Sequence, residues 1–371
     1  MKQKLLGIVL IFSFSVGLLG ALPGQGSIEE RWWFMLELGK RKFREGELGD
    51  ALLTFEDAIR QRNEYFTSLY QALVSALSLP EIRIYGDILP MAEKEIKKRN
   101  LIDAFKAIEE TKRVAEPHLL NDSVNSLLSR LKYLAEYPEA QYWAGRVLAA
   151  EGEYDLAIKR YNRALDAENP FSSQEEGRNI LYAMADLYHQ QGAAHLEEES
   201  LTKILEQDEQ YQSWQTPFIQ ASLAKNISGR EVLDHVLQLY RYPASEYFLA
   251  HEMLSTLYRQ AGRWERAWEH ALYAFLISST SILQEISLSN SSWTFETLED
   301  AHNKIKNNYE LQHYVNSQDW YPGMYWLAVS SWYSGKQIAA QWIWHFLASL
   351  PEAGEWAKRS QLQLQAPFND Y

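Results

Sequence analysis

Residues 144–164 read AGRVLAAEGEYDLAIKRYNRA, and their spacing decides the fold. Ala144, Gly145 and Leu148 lie on one helical stripe, and Tyr154, Ala157, Tyr161 and Ala164 recur at steps of three and four on a second. A period near 3.6 residues makes each run an amphipathic helix with one face to bury. Gly152 stands between the two stripes. A glycine there accepts the left-handed backbone that ends one helix and turns the chain into the next. The stretch therefore predicts two antiparallel helices joined by a tight turn, neither able to cover its apolar face alone.

The same layout recurs along the chain. Met35, Leu38 and Gly39, then Gly46, then Ala51, Leu52, Phe55, Ala58 and Ile59 repeat it upstream. Leu254, Ser255 and Tyr258, then Gly262, then Trp264, Ala267, Ala271 and Ala274 repeat it downstream. Weaker copies run through Met184, Ala185, Tyr188, Gly192, Leu201 and Ile204, and through Leu327, Ala328, Gly335, Ala340, Trp344 and Leu347. The turn glycines are separated by 106, 40, 70 and 73 residues. These gaps are close to three, one, two and two periods of about 34 residues.

This pattern resembles the tetratricopeptide repeat (TPR) family, whose unit is a helix-turn-helix with W-x2-L-G-x2-Y, A-x3-F-x2-A and a closing Pro. The clear units are 32–65, 138–171, 178–211, 248–281 and 321–354 within a body at 27–371, with an eroded unit at 213–246 around Gly229. The copies depart from the family where Met35, Gln141, Leu181, His251 and Met324 occupy the leading Trp position. Glu197 also stands where a small residue should let two helices approach, which puts the packing of that pair in doubt. Residues 66–137 read as helical but match poorly, punctuated by Pro80, Pro90 and Pro117; the polar run within 282–320 reads as an insertion or long loop.

The resemblance implies an all-α fold, a right-handed α-solenoid of stacked repeats, and a concave face lined by fixed positions of each first helix. Mapped onto this chain, those positions are Trp33, Leu36, Lys40, Phe43 and Arg44, then Glu139, Tyr142 and Arg146. Asn179, Tyr182, Asp186, His189 and Gln190 follow, then Glu252, Thr256, Arg259 and Gln260, then Tyr325, Val329, Trp332 and Tyr333. Such a wall of charged, amide and aromatic groups suits a protein or peptide partner, since aromatic anchors supply area while polar groups satisfy backbone. The Lys and Asn clamp with which some family members hold a C-terminal carboxylate is not reproduced, because Leu36, Tyr142 and Tyr182 fill its fifth positions.

Lys2 and Lys4 precede an uncharged run from Leu5 to Leu22, which small, turn-prone Pro23-Gly24-Gln25-Gly26 follows. This is the layout of an export signal cleaved after Gly26. Eighteen residues of that kind also suffice for a retained N-terminal anchor. Either reading sends the body out of the cytoplasm, to a periplasmic or cell-envelope site.

Composition narrows the chemistry. Lys and Arg number 36 against 49 Asp and Glu, for a net charge of −13, so the body repels nucleic-acid phosphates and anionic lipid. With no Cys there is no disulfide framework, thiolate nucleophile or Cys-ligated metal. His189 and His195 flank Gly192; a metal there would need a further ligand such as Glu198, and the two read as turn histidines. His251-Glu252 is half of a zinc helix whose second His is replaced by Ser255. Glu197, Glu198 and Glu199 read as a solvated face. The expectation is a non-enzymatic exported scaffold with no cofactor and no metal. The alternative is a small-molecule or glycan-binding component, marked by an enclosed aromatic pocket. Nine of the 13 Trp lie between Trp264 and Trp356. Trp264, Trp268 and Trp344 fall at packing positions, while Tyr325, Trp332 and Tyr333 are the nominated exposed group.

Overall fold

A computed structural model describes residues 28–76, 88–114, 122–135, 137–166, 174–215 and 232–367. The N-terminal residues 1–27, Pro80, Pro117 and Gly229 lie outside the described residues. The regular elements among the described residues are all helical, and the fold is all-α, of the solenoid type, built from stacked helix pairs. The chain divides into two compact units, residues 1–169 and 170–371.

In the first unit, α1 (Ile28–Arg44) pairs with α2 (Leu48–Ala76), α3 (Ile88–Lys97) with α4 (Leu101–Val114), and α5 (Asp122–Ala135) precedes the pair α6 (Pro138–Ala150) and α7 (Tyr154–Leu165). The second unit begins with the pair α8 (Gln174–Gln190) and α9 (Ala194–Leu205), then α10 (Glu209–Trp214) and α11 (Val232–Leu239). It continues with the pair α12 (Phe248–Gln260) and α13 (Trp264–Ser289), then α14 (Leu298–Lys306) and α15 (Tyr309–Ser317). It ends with the pair α16 (Trp320–Tyr333) and α17 (Gln337–Ala348), and α18 (Glu355–Gln365) packed on both.

The turns repeat at the level of single hydrogen bonds. Gly46, Gly152, Gly192, Gly262 and Gly335 have φ between +68° and +82°. In each, the residue after the glycine donates its N–H to the carbonyl five residues back, at 2.8–3.0 Å. This is the Schellman arrangement, which satisfies carbonyls that a helix end would leave bare. The poorly matched region contains a sixth such turn. Arg99, at φ +59°, takes the glycine's place between α3 and α4, and Asn100 donates to the Glu95 carbonyl at 3.0 Å. Sequence reading passed over this pair because no glycine marks it. Pro90 falls in the first turn of α3, where its missing N–H has no partner to lose.

Small residues on the first helices set the depth of packing. A Cβ at Gly39 would sit 2.5 Å from the Phe55 ring, and one at Gly145 would sit 2.6 Å from the Tyr161 ring. Absence of a side chain there lets the aromatic ring of the second helix rest on the backbone of the first. Glu197, whose bulk argued against close packing, is buried and meets His189 at 3.1 Å while α8 and α9 still pack. Its carboxylate tolerates burial because it has a polar partner.

In the second unit, α13 is central. Every residue from His270 to Thr280 is buried. Among the described residues it is the helix long and apolar enough to cross a membrane, and its apolar surface is covered by the rest of the unit. The polar run at 287–300 is a loop only over residues 290–297, with helix on either side. Helix α13 continues to Ser289, and two short helices follow whose Leu298, Ala301 and Ile305, and Leu311 and Val315, are buried. Thr297 and Asn308 cap them by accepting backbone N–H bonds, which explains the polar composition that reads as loop. Trp344 and Trp320 are fully buried, and the Trp320 indole donates to Ser279 at 2.8 Å.

Candidate functional site

The positions assigned to the inner face come together within each unit, from the first helices of neighbouring pairs. In the first unit, Lys40 of α1 contacts Glu139 of α6 and Glu37 at 2.8 Å. Burial works against the Lys40 charge, and the two carboxylates outweigh it, holding the ammonium above its usual range. Phe43 meets Trp143 edge-on with centroids 5.7 Å apart. The Arg146 guanidinium lies 5.2 Å from the Phe43 ring and 5.0 Å from the Trp143 ring, with Tyr142 at 5.9 Å. Arg44 is exposed at the edge of this face.

Trp33 is 61% exposed and lines a crevice of about 730 Å³ with Trp32, Tyr65, Tyr133, Tyr137 and Glu139. The arginines of this crevice already have partners. Arg62 donates to the carbonyls of Leu134, at 3.1 Å, and Tyr133, and lies over the Tyr133 and Tyr137 rings. Arg130 donates to the Tyr65 hydroxyl. These cations hold α2 to α5 and leave little charge for a ligand.

The second unit treats its assigned residues differently. Tyr182 is tied to backbone: its hydroxyl donates to the Glu246 carbonyl at 3.0 Å and accepts from the Ala250 N–H at 3.2 Å. Burial pushes this phenol up to about 12. Asp186 and Asn179 are exposed, with Asp186 accepting from Gln190 at 2.9 Å. Glu252 is exposed. Trp332 is half-buried, its ring 5.6 Å from that of Trp344, so it packs against the core rather than standing free. Tyr325 is 2% exposed. Of the acidic run, Glu197 is buried, Glu198 accepts from Tyr258 and Arg263, and Glu199 pairs with Lys203; only the last is plainly solvated.

Thr256, Arg259 and Gln260 of α12 and Tyr325, Val329 and Tyr333 of α16 line a cavity of about 390 Å³. Trp264, Trp326, Arg359 and Gln363 complete it. Trp264 stacks on Tyr333 with centroids 4.0 Å apart and planes 17° from parallel, so this indole packs against the core as read and also forms a cavity wall. The Arg259 guanidinium lies 3.8 Å from the Trp326 centroid and donates to the Thr256 hydroxyl at 2.8 Å. Its Nε is buried without a hydrogen-bond partner, and no carboxylate among the described residues pairs with it. Burial lowers the guanidinium to about 10, opposed by the more distant Glu252, and it remains a cation at neutral pH. Arg359 pairs with Glu355 at 3.2 Å. Gln363 is buried and donates to the Tyr325 hydroxyl at 3.3 Å.

Sequence reasoning found six of these ten lining residues through the repeat register. It missed Trp326, adjacent to Tyr325 on the same helix, and assigned Trp264 to packing. It gave no role to α18, which supplies Arg359 and Gln363, although Ala357, Ser360 and Gln363 recur there at three-residue steps. Among the described residues no group of three or more His, Asp or Glu side chains is placed to hold a metal ion. His189 faces Glu197 rather than Glu198, and His251 faces His270.

No family model matches the chain. It is similar to an uncharacterized protein of Treponema pallidum (strain Nichols), 24% identical over 338 residues that span 90% of this chain and 89% of that one. It is also similar to the TPR domain of P58(IPK), 13% identical and covering 91% of this chain and 99% of that structure, with a TM-score of 0.19. The TPR-like character of the chain therefore stands on its own repeated helix pairs and on the turn hydrogen bonds they share.

Proposed function

We propose that this chain is an exported, non-enzymatic binding scaffold that holds a protein or peptide partner on the face made by the first helices of its pairs, in an envelope assembly or transport role. The observation that carries the reading is the joining of inner-face positions far apart in sequence. Lys40 meets Glu139 and Phe43 meets Trp143 and Arg146, so one continuous surface of aromatic and charged groups is presented by adjacent repeats. Aromatic and arginine side chains of this kind are the residues that most often dominate binding energy at protein interfaces. Export is supported by the basic, apolar and small-residue order of residues 1–26.

The test is affinity capture from the native envelope with intact chain, comparing the natural protein with Trp33→Ala and Arg146→Ala. Loss of the same captured protein in both variants, with unchanged thermal unfolding, is the expected result. Equal capture by all three chains would remove this face as the interface.

A further inference from the structure

We infer that the cavity between α12, α13, α16 and α18 is a binding site for a small organic monocarboxylate carrying a flat aromatic body. The cavity is lined by inner-face positions of the second unit's first helices, α12 and α16, whereas the partner test above reads Trp33 and Arg146 of the first unit, so the two can fail separately.

The argument begins with charge. The chain carries 49 acidic against 36 basic residues, yet the cavity is lined by Arg259 and Arg359 and by no carboxylate. Arg359 is already neutralised by Glu355. Arg259 has no carboxylate in ion-pair contact among the described residues: a hydroxyl and the face of Trp326 are its close partners, and Glu252 acts on its charge from farther off. A buried guanidinium without a close carboxylate partner attracts an anion, and its planar fork matches a planar carboxylate.

Shape supplies the rest. The volume of about 390 Å³ lies in the range of small-molecule sites, and flat rings form the walls. The Trp264 and Tyr333 rings are stacked on each other, and Trp326 is held in place by the Arg259 guanidinium on its face. Such walls favour an aromatic ring in offset or edge-on contact over a branched or strongly hydrated body. Thr256, Gln260 and Gln363 add neutral hydrogen-bonding groups at the margin, enough to orient a ligand without adding charge. The crevice near Trp33 fails the same reading because its arginines are satisfied internally.

Trp264 and Trp326 make intrinsic fluorescence a direct readout. The intact chain is titrated with phenylacetate, 3-phenylpropionate and benzoate, and with the uncharged amide of each. The expected result is saturable quenching by at least one acid, binding about tenfold or more tighter than its amide. In Arg259→Gln the acid and its amide should bind alike, while Arg259→Lys should keep part of the preference. Thermal unfolding of both variants distinguishes lost binding from lost fold, and the acid-to-amide ratio within one variant does not depend on its stability. Equal binding of acid and amide by the natural chain would overturn the assignment, as would a preference that survives Arg259→Gln. Failure of all three acids, including the case where only a peptide with a free C-terminal carboxylate binds, would overturn it too. Capture of a protein partner through Trp33 and Arg146 is unaffected by any of these outcomes.

Discussion

The Nδ1 atoms of His251 and His270 lie 2.9 Å apart in the buried interior of the α12 and α13 pair. Such a contact requires one ring to donate and the other to accept, which excludes two cations, and complete burial disfavours even one. Tyr211, Tyr242, Tyr273 and Tyr258 surround them, and Arg266 is the nearest added charge, unfavourable to a second cation. Burial, then the neighbouring His270, lowers His251 well below its usual value; burial, then Arg266, lowers His270.

This pair makes the second unit sensitive to acid. In the unfolded chain each imidazole takes a proton near pH 6.5, while in the folded chain it does so only well below that. The stability they contribute is complete above pH 6.5 and is lost as pH falls, by about 1.4 kcal/mol per pH unit for each ring. Urea unfolding of the natural chain at pH 7.5 and 5.0, set against a His251→Leu, His270→Phe double variant, should show the steeper loss in the natural chain. Parallel pH dependence in the two would refute the neutral-pair account.

The turn residues give predictions of opposite sign. Gly152→Ala forces a side chain into a left-handed backbone at φ +82° and should lower stability by about 1 kcal/mol. Arg99→Gly relieves the same strain at φ +59°, at a position where the side chain is exposed, and should leave stability unchanged or raise it by up to about 1 kcal/mol. Calorimetric melting temperatures of the two variants should move in different directions, and a loss at Arg99→Gly as large as that at Gly152→Ala would contradict the shared-turn reading.

Gly145→Ala tests how closely α6 and α7 approach. The added Cβ meets the Tyr161 ring at 2.6 Å, and that tyrosine is 2% exposed with little room to retreat. The cost should be about 1–3 kcal/mol, the usual range for overpacking. Adding Tyr161→Leu to the same chain should recover part of it, and a double-mutant cycle with no coupling would show that the ring is not the obstacle.

Tyr242 donates its hydroxyl to the Asp208 carboxylate, which is 2% exposed and also accepts the Gln210 and Tyr211 N–H bonds that start α10. Burial and the adjacent carboxylate push this phenol far above its ordinary range. Tyr242→Phe leaves the buried charge short of a donor and should cost about 1.5–3 kcal/mol, the worth of a hydrogen bond to a charged group. Denaturant midpoints at pH 7.5 would check this, and a change under about 0.5 kcal/mol would mean that water replaces the hydroxyl.

Several features were legible in the sequence for a local reason. The stripe Tyr154, Ala157, Tyr161 and Ala164 and the turn at Gly152 depend on neighbours within one helical turn or one hydrogen-bonded loop, and both are found as read. The pair at Arg99 was hidden because a non-glycine residue there adopts the same left-handed turn. The polar run was legible as a loop at residues 290–297, while the two helices after it were hidden because their capping residues Thr297 and Asn308 share their composition with loops.

The amino-acid sequence by itself determined the helical period, the turns and the register that sends Lys40, Arg146, Arg259 and Tyr333 to one side of their helices. Those properties are set within about 34 residues of chain. Tertiary structure alone decided which of these groups are already spent. Tyr182 is consumed by the backbone at 246 and 250, and Trp332 by Trp344. Arg259 keeps a buried, unused donor because Trp326, Arg359 and Gln363 close around it. Whether a polar group is satisfied depends on partners tens of residues away in sequence, and no local pattern encodes that distance.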